Sequence, residues 1–76
     1  MEEKILEILK DINEDLLTYS GDNMLDDGIV NSFSFISLIS ELEEEFDVEI
    51  DEEFYEAEYL GNKNRIISTI KMLCSK

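Results

Sequence analysis

Histidine, proline and tryptophan are absent from this chain of 76 residues, and cysteine occurs once. Each absence closes a door. Without histidine there is no Ser/His/Asp or Cys/His constellation, and with one cysteine there is no zinc-ligand spacing. No Gly-rich phosphate loop is present either, so a stand-alone enzyme is not expected. Cys74 cannot form an internal disulfide, in keeping with a reducing compartment. No apolar run approaches the roughly 18 residues of a membrane span. The opening "MEEKILEILK" is acidic rather than basic and then apolar, unlike a secretion leader. The expectation is a cytoplasmic protein without membrane insertion.

Positive charge is the other scarcity. Lys and Arg total 6 against 20 Asp and Glu, a formal net charge of −14. Nucleic acid and anionic membranes would be repelled, which leaves cations and basic protein surfaces as partners. An EF-hand does not fit. With Gly28 at position 6 of such a loop, Leu25 falls on a ligand position and Ser34 stands where the bidentate Glu belongs.

What is present favours helix. Glu, Leu and Ile abound and helix breakers are few. The length suits one small domain, residues 1–76, with an economical core of a few packed helices. Ile5, Ile8, Leu9, Ile12 and Leu16 recur at steps of three and four, one face of a first helix. "TYSGDN" at 18–23 ends it, with Gly21 suited to a left-handed stop. Residues 22–31 lack a helical period but hold Met24, Leu25, Ile29 and Val30, too apolar to hang free. They predict a structured loop pinned to the core, turned at Gly28.

From Ser32 to Phe46 the period returns, with Phe35, Leu38, Ile39, Leu42 and Phe46 within about a 100° arc. Val48 and Ile50 are expected to tuck under. Asp51 can cap a short third helix reaching Leu60 and ended by Gly61, its edge covered by Tyr55 and Tyr59. Asn62 can cap a fourth, where Ile66, Ile67, Ile70 and Leu73 form a stripe that also takes in Cys74 as a small buried hydrophobe. The fold expected is all-α, four helices around one core.

Two features exceed that architecture. Phe33 and Ile36 lie about 170° and about 110° from the centre of the second helix's core stripe. Ser37, Ser40, Glu43 and Glu44 share that outer side. An apolar patch with an acidic rim suits docking by a basic partner; alternatively Phe33 folds back beneath the preceding loop and Ile36 is a lone exposed apolar side chain. "ELEEEFDVEIDEE" is likewise a solvated face that a basic partner can read. The second feature is Ser32, at the helix start. It is either the cap, or, with Asn31 capping instead, a free hydroxyl in the first turn, where the helix dipole favours an attached phosphate.

"GIVNSFSFISLISELEEEFDVEI", residues 28–50, resembles the central segment of acyl carrier proteins. There a Gly-bearing loop leads to an Asp-Ser-Leu-like motif, and an acidic helix closes in Glu-Glu-Glu-Phe and an Ile. Length, acidity and the order of helices with a short third one also fit, giving a four-helix bundle of acyl-carrier type. Phe33 in place of the commoner Leu is similar to D-alanyl carrier proteins and stand-alone biosynthetic carriers. The resemblance implies 4′-phosphopantetheine from coenzyme A on Ser32, its thiol carrying an acyl or aminoacyl thioester. It implies contact with partners at Asn31, Phe33, Ile36, Ser40, Glu43 and Glu44. Those partners would be a phosphopantetheinyl transferase, a loading enzyme, and downstream transferases or synthases, all served by a monomer. Asn31 departs from the family's usual Asp, which sits beside the transferase's metal site, and Ser34 and Ser37 stand where many relatives are acidic. The alternative class is an unmodified acidic interaction module that binds a basic protein through helix 32–46, or a structural subunit sharing that surface.

Overall fold

Glu2 and Glu3 in the first turn and Lys10 in the last oppose the partial charges of a helix dipole, and Ile5 and Leu9 fall on one side. In the computed structural model, which describes residues 2–75, this segment is α1, Glu2–Ile12. It ends sooner than the apolar spacing suggests. The Asn13 side chain accepts from the amide of Asp15 at 2.9 Å and opens a 3₁₀ turn, Glu14–Leu17. A side chain that bonds its own backbone offers the chain an alternative to helix. Leu16 is still buried, from the tighter turn. Gly21 is not the left-handed stop expected of it, since among the described residues the only positive-φ glycine is Gly28, at φ 77°.

The second helix, α2, spans Ser32–Phe46 and buries Phe35, Leu38, Ile39 and Leu42. It stops at Asp47, whose φ of 52° and ψ of 48° are left-handed, and Ile50 then tucks beneath. The expected third helix is broken in two. Asp51 precedes a 3₁₀ turn, Glu52–Phe54, without a side-chain capping bond, and α3 is one turn long, Ala57–Leu60. Gly61 is right-handed, at φ −74°. Its requirement is space: a Cβ there would overlap the carbonyl oxygens of Asp22 and Ala57. Close approach, not a left-handed bend, selects glycine.

The last helix, α4, spans Lys63–Cys74 and is capped by Asn62, whose side chain accepts from Arg65 N–H at 3.0 Å. Ile66 and Ile70 are buried, and Ile67 and Leu73 pack at the edge. Cys74 is exposed, against expectation. Thr69 takes the buried place instead, donating its hydroxyl to the Tyr59 carbonyl at 2.8 Å. The frame is therefore all-α, with no strand among the described residues. Tyr55 and Tyr59 close the core edge as expected. They meet Phe35 and Phe54 edge-to-face, with ring centroids 6.2 and 5.0 Å apart.

Candidate functional site at the start of the second helix

The segment that delivers Ser32 is a long connection held in place by side chains and backbone. Met24 and Val30 are buried, and Leu25 and Ile29 pack against the core. The amides of Ile29 and Val30 both donate to the Met24 carbonyl, at 2.9 and 3.3 Å, folding the loop over itself. Gly28 makes this possible, because its φ is open to glycine at little cost. Tyr19 braces the first half: its hydroxyl donates to an Asp27 carboxylate oxygen and accepts from Asn23 N–H at 3.1 Å. Burial, then that bond to a carboxylate, pushes the Tyr19 hydroxyl above its ordinary pKa.

At the loop's end the two readings of Ser32 separate. Asn31 is the cap, with extended backbone and its side-chain oxygen accepting from Ser34 N–H at 2.8 Å. Ser32 is exposed, and among the described residues its hydroxyl takes part in no hydrogen bond. The first turn of α2 holds no acidic residue. The positive end of this helix is thus left without a side-chain anion of its own.

Phe33 does not fold back. It is 81% exposed and Ile36 is 51% exposed, so the outward apolar patch is real. Ser40 and Glu44 are exposed beside it. Glu43 departs from expectation: it is half-buried, and one carboxylate oxygen accepts from Ile50 N–H at 2.9 Å. Its first task is to tie the chain leaving α2 back to the helix. Burial, then the charge of Glu43 with Glu52 and Asp51 behind it, raises the Tyr55 hydroxyl above its ordinary pKa. A partly open pocket of about 250 Å³ lies between Met24 and Leu25 of the loop, Phe35 of α2, and Ala57 and Leu60 of α3.

Several supporting residues are not read from apolar spacing. Asn13 Nδ2 donates to the Ile29 carbonyl at 2.8 Å, and Asn62 Nδ2 to the Gly21 carbonyl at 2.9 Å. Arg65 reaches the carbonyls of Asp22 and Ala57 at 3.2 and 3.0 Å, and Lys63 that of Leu17 at 3.0 Å. The one signal available was local: Asn13 stands directly before Glu14 and Asp15, and Asn62 directly before a helical stripe, both cap patterns.

Two curated proteins match along most of the chain. A D-alanyl carrier protein of Lactobacillus helveticus is 31% identical over 71 residues, covering 91% of this chain and 89% of that protein. One of Lactobacillus acidophilus is 27% identical over 70 residues, with the same coverage of both chains. The chain belongs to the carrier proteins of the acyl carrier type. No family model and no solved structure matches it. For a carrier the geometry has a coherent sense: a free hydroxyl at the end of a braced loop, next to an apolar patch with acidic residues beside it. No helix among the described residues is long and apolar enough to cross a membrane.

Proposed function

We propose that residues 1–76 act as one carrier domain that bears 4′-phosphopantetheine on Ser32 and presents a thioester-bound group to other proteins. The observation that carries this reading is the division of labour at the start of α2. Asn31 does the capping, so the Ser32 hydroxyl is exposed and unengaged. The residues present fit the group. A phosphodiester on Ser32 would lie in the first turn of a helix of 15 residues, beside the amides of Ser32 and Phe33, which have no acceptor among the described residues.

In the transfer, the Ser32 oxygen forms a bond to the coenzyme A phosphorus that bears the pantetheine. The pyrophosphate P–O bond breaks, 3′,5′-ADP leaves, and the serine proton passes to a base on the transferase. Once attached, the arm supplies a thiol that holds an acyl or aminoacyl group as a thioester. The chain's own part is to hold Ser32 outward and to offer Phe33, Ile36, Ser40 and Glu44 to basic, apolar-faced enzymes, with Asn31 and Glu43 at the edge of that surface. These enzymes are a phosphopantetheinyl transferase, a loading enzyme and downstream transferases or synthases. The relatives are named for D-alanine, which makes it the first cargo to try.

The test is the intact mass after incubation with coenzyme A, Mg²⁺ and a broad-specificity phosphopantetheinyl transferase. A gain of one phosphopantetheine is expected, and none in Ser32→Ala. The second reading, an unmodified acidic module, draws on Asn31 in the place of the family's usual Asp. Asp caps as well as Asn, so Asn31→Asp changes the charge while keeping the helix start. Modification of Asn31→Asp but not of the natural chain would favour the module. No gain in either would remove the modified-carrier reading.

A further inference from the structure

We infer that Asn13 is a positioning residue for Ser32: from the end of α1, its side chain fixes the stretch of loop that delivers the hydroxyl to a modifying enzyme. The inference rests on the reading of Ser32 as the modified residue. Asn13 works in two directions at once. Its Oδ1 accepts from Asp15 N–H at 2.9 Å and starts the 3₁₀ turn, while its Nδ2 donates to the Ile29 carbonyl at 2.8 Å. The first bond locks the side chain, so the second is made by a group that has already lost its rotamer freedom. Ile29 lies just ahead of Asn31 and Ser32. Its own amide and that of Val30 converge on the Met24 carbonyl. Among the described residues Asn13 thus supplies the hydrogen bond that reaches this last turn from outside the loop, alongside the core packing of Ile29 and Val30.

The far end of the same loop offers a built-in control. Asn62 is arranged in the same way: Oδ1 caps α4 at Arg65 N–H, 3.0 Å, and Nδ2 donates to the Gly21 carbonyl, 2.9 Å. Each asparagine pairs a local capping bond, two residues on for Asn13 and three for Asn62, with an amide bond to the loop. One reaches Ile29, near Ser32 in the chain, and the other Gly21, far from it. Residues that served only to hold the fold together would be interchangeable in their effect on Ser32. A positioning residue would not be.

Serine at either place keeps a capping oxygen, removes the amide donor and leaves the net charge alone. With Asn13→Ser, amide exchange at Ile29 and Val30 should quicken by about fivefold, the worth of one hydrogen bond. A less populated competent loop raises the apparent binding constant without altering the bound complex. Transfer of phosphopantetheine from coenzyme A should therefore show a KM for the carrier raised about threefold or more, with kcat within about twofold of the natural chain. Asn62→Ser should lower the melting temperature similarly yet leave both constants within about twofold. Both variants are assayed well below their melting temperatures, and Asn13→Asp, which also keeps a capping oxygen, repeats the measurement. Equal kinetics for Asn13→Ser and Asn62→Ser, or a KM unmoved by either Asn13 variant, would overturn the inference while leaving Ser32 modification standing. A natural chain that gains no phosphopantetheine would remove both.

Discussion

Gly61 shows how a single residue can be chosen for the space around it. Its backbone is right-handed, so alanine would be conformationally acceptable and would even reduce the entropy of the unfolded chain, a gain of about 0.4–1 kcal/mol. Against this stands the position a Cβ would occupy, on top of the carbonyl oxygens of Asp22 and Ala57. Those oxygens are not idle, since both accept from Arg65, and the Gly61 carbonyl itself accepts from Met24 N–H at 3.0 Å. Backbone cannot swing aside as a flexible side chain can, so sterics should win. Overpacking of this kind costs about 1–3 kcal/mol. Gly61→Ala is expected to lower the melting temperature by about 4–8 °C for each kcal/mol lost. A melting temperature at or above that of the natural chain would mean the loop yields freely, and that its contacts with Gly61 are incidental. The same crowding was invisible in the sequence, where a glycine after a helix reads as a left-handed stop. Cys74 shows a related limit: spacing puts it on the apolar stripe, but nothing in the spacing tells that this end of the helix leaves it exposed.

Among the elements, α2 is the most legible and carries the candidate site. Its core stripe is regular, its Asn31–Ser32 start is a cap pattern, and the excess apolar residues Phe33 and Ile36 stand out because the stripe is already filled. The loop's apolar anchors could be read too, since four large hydrophobes in a non-periodic stretch must go somewhere. What could not be read was the inward turn of Glu43, because it depends on a backbone group, the Ile50 amide, that the fold brings near. The break at Asn13 had only its local cap pattern to announce it, and the break at Tyr55 had none. The end of α2 is the element's weak point. Asp47 adopts a left-handed conformation that glycine accepts more readily. It also adds negative charge at the negative end of the dipole, behind Glu44 and Glu45, where no basic residue occupies the last turn. Both effects oppose the natural residue and outweigh the greater unfolded freedom of glycine. Asp47→Gly should stabilise the fold by about 0.5–1 kcal/mol, and Asp47→Asn should recover the electrostatic part alone. Thermal melts of the two variants separate the contributions. A lower melting temperature for both would show that the Asp47 side chain has a favourable role which the helix-end argument omits.

For the molecule as a whole, the question is what so acidic a surface costs in so small a volume. The radius of gyration is 11.0 Å and the extents are 31 × 24 × 20 Å, close to the roughly 11 Å expected of a compact chain of this length. Into that space go 20 acidic residues against 6 basic ones. The attractions are modest: four ion pairs among the described residues, Lys4 with Glu7 and Glu45, Arg65 with Asp22, and Lys71 with Glu2, at 3.1–3.8 Å and none buried. Exposed pairs contribute at most about 1 kcal/mol each. Salt weakens these attractions and the repulsions together, so the sign of its effect depends on which set is larger. At about 0.01 M the screening length is near 30 Å, so charges repel across the whole molecule; at about 0.15 M it is near 8 Å, and only neighbours are felt. Repulsion is the long-range sum and the ion pairs are the short-range one, so salt should remove more of the former. Along the groove between α1 and α2, the lining among the described residues sets Glu7, Asp11, Glu41, Glu44 and Glu45 against one cation, Lys4. We therefore expect the melting temperature to rise as NaCl goes from about 10 mM to about 150 mM, most steeply at the low end where screening first falls below the size of the molecule. Guanidinium would confound the reading with its own charge, so urea at fixed salt is the isothermal check. A melting temperature that stays level or falls would mean the few ion pairs outweigh the repulsion of the acidic surface. In that case a basic partner docking on α2 would gain affinity from its own contacts, without also relieving strain within the carrier.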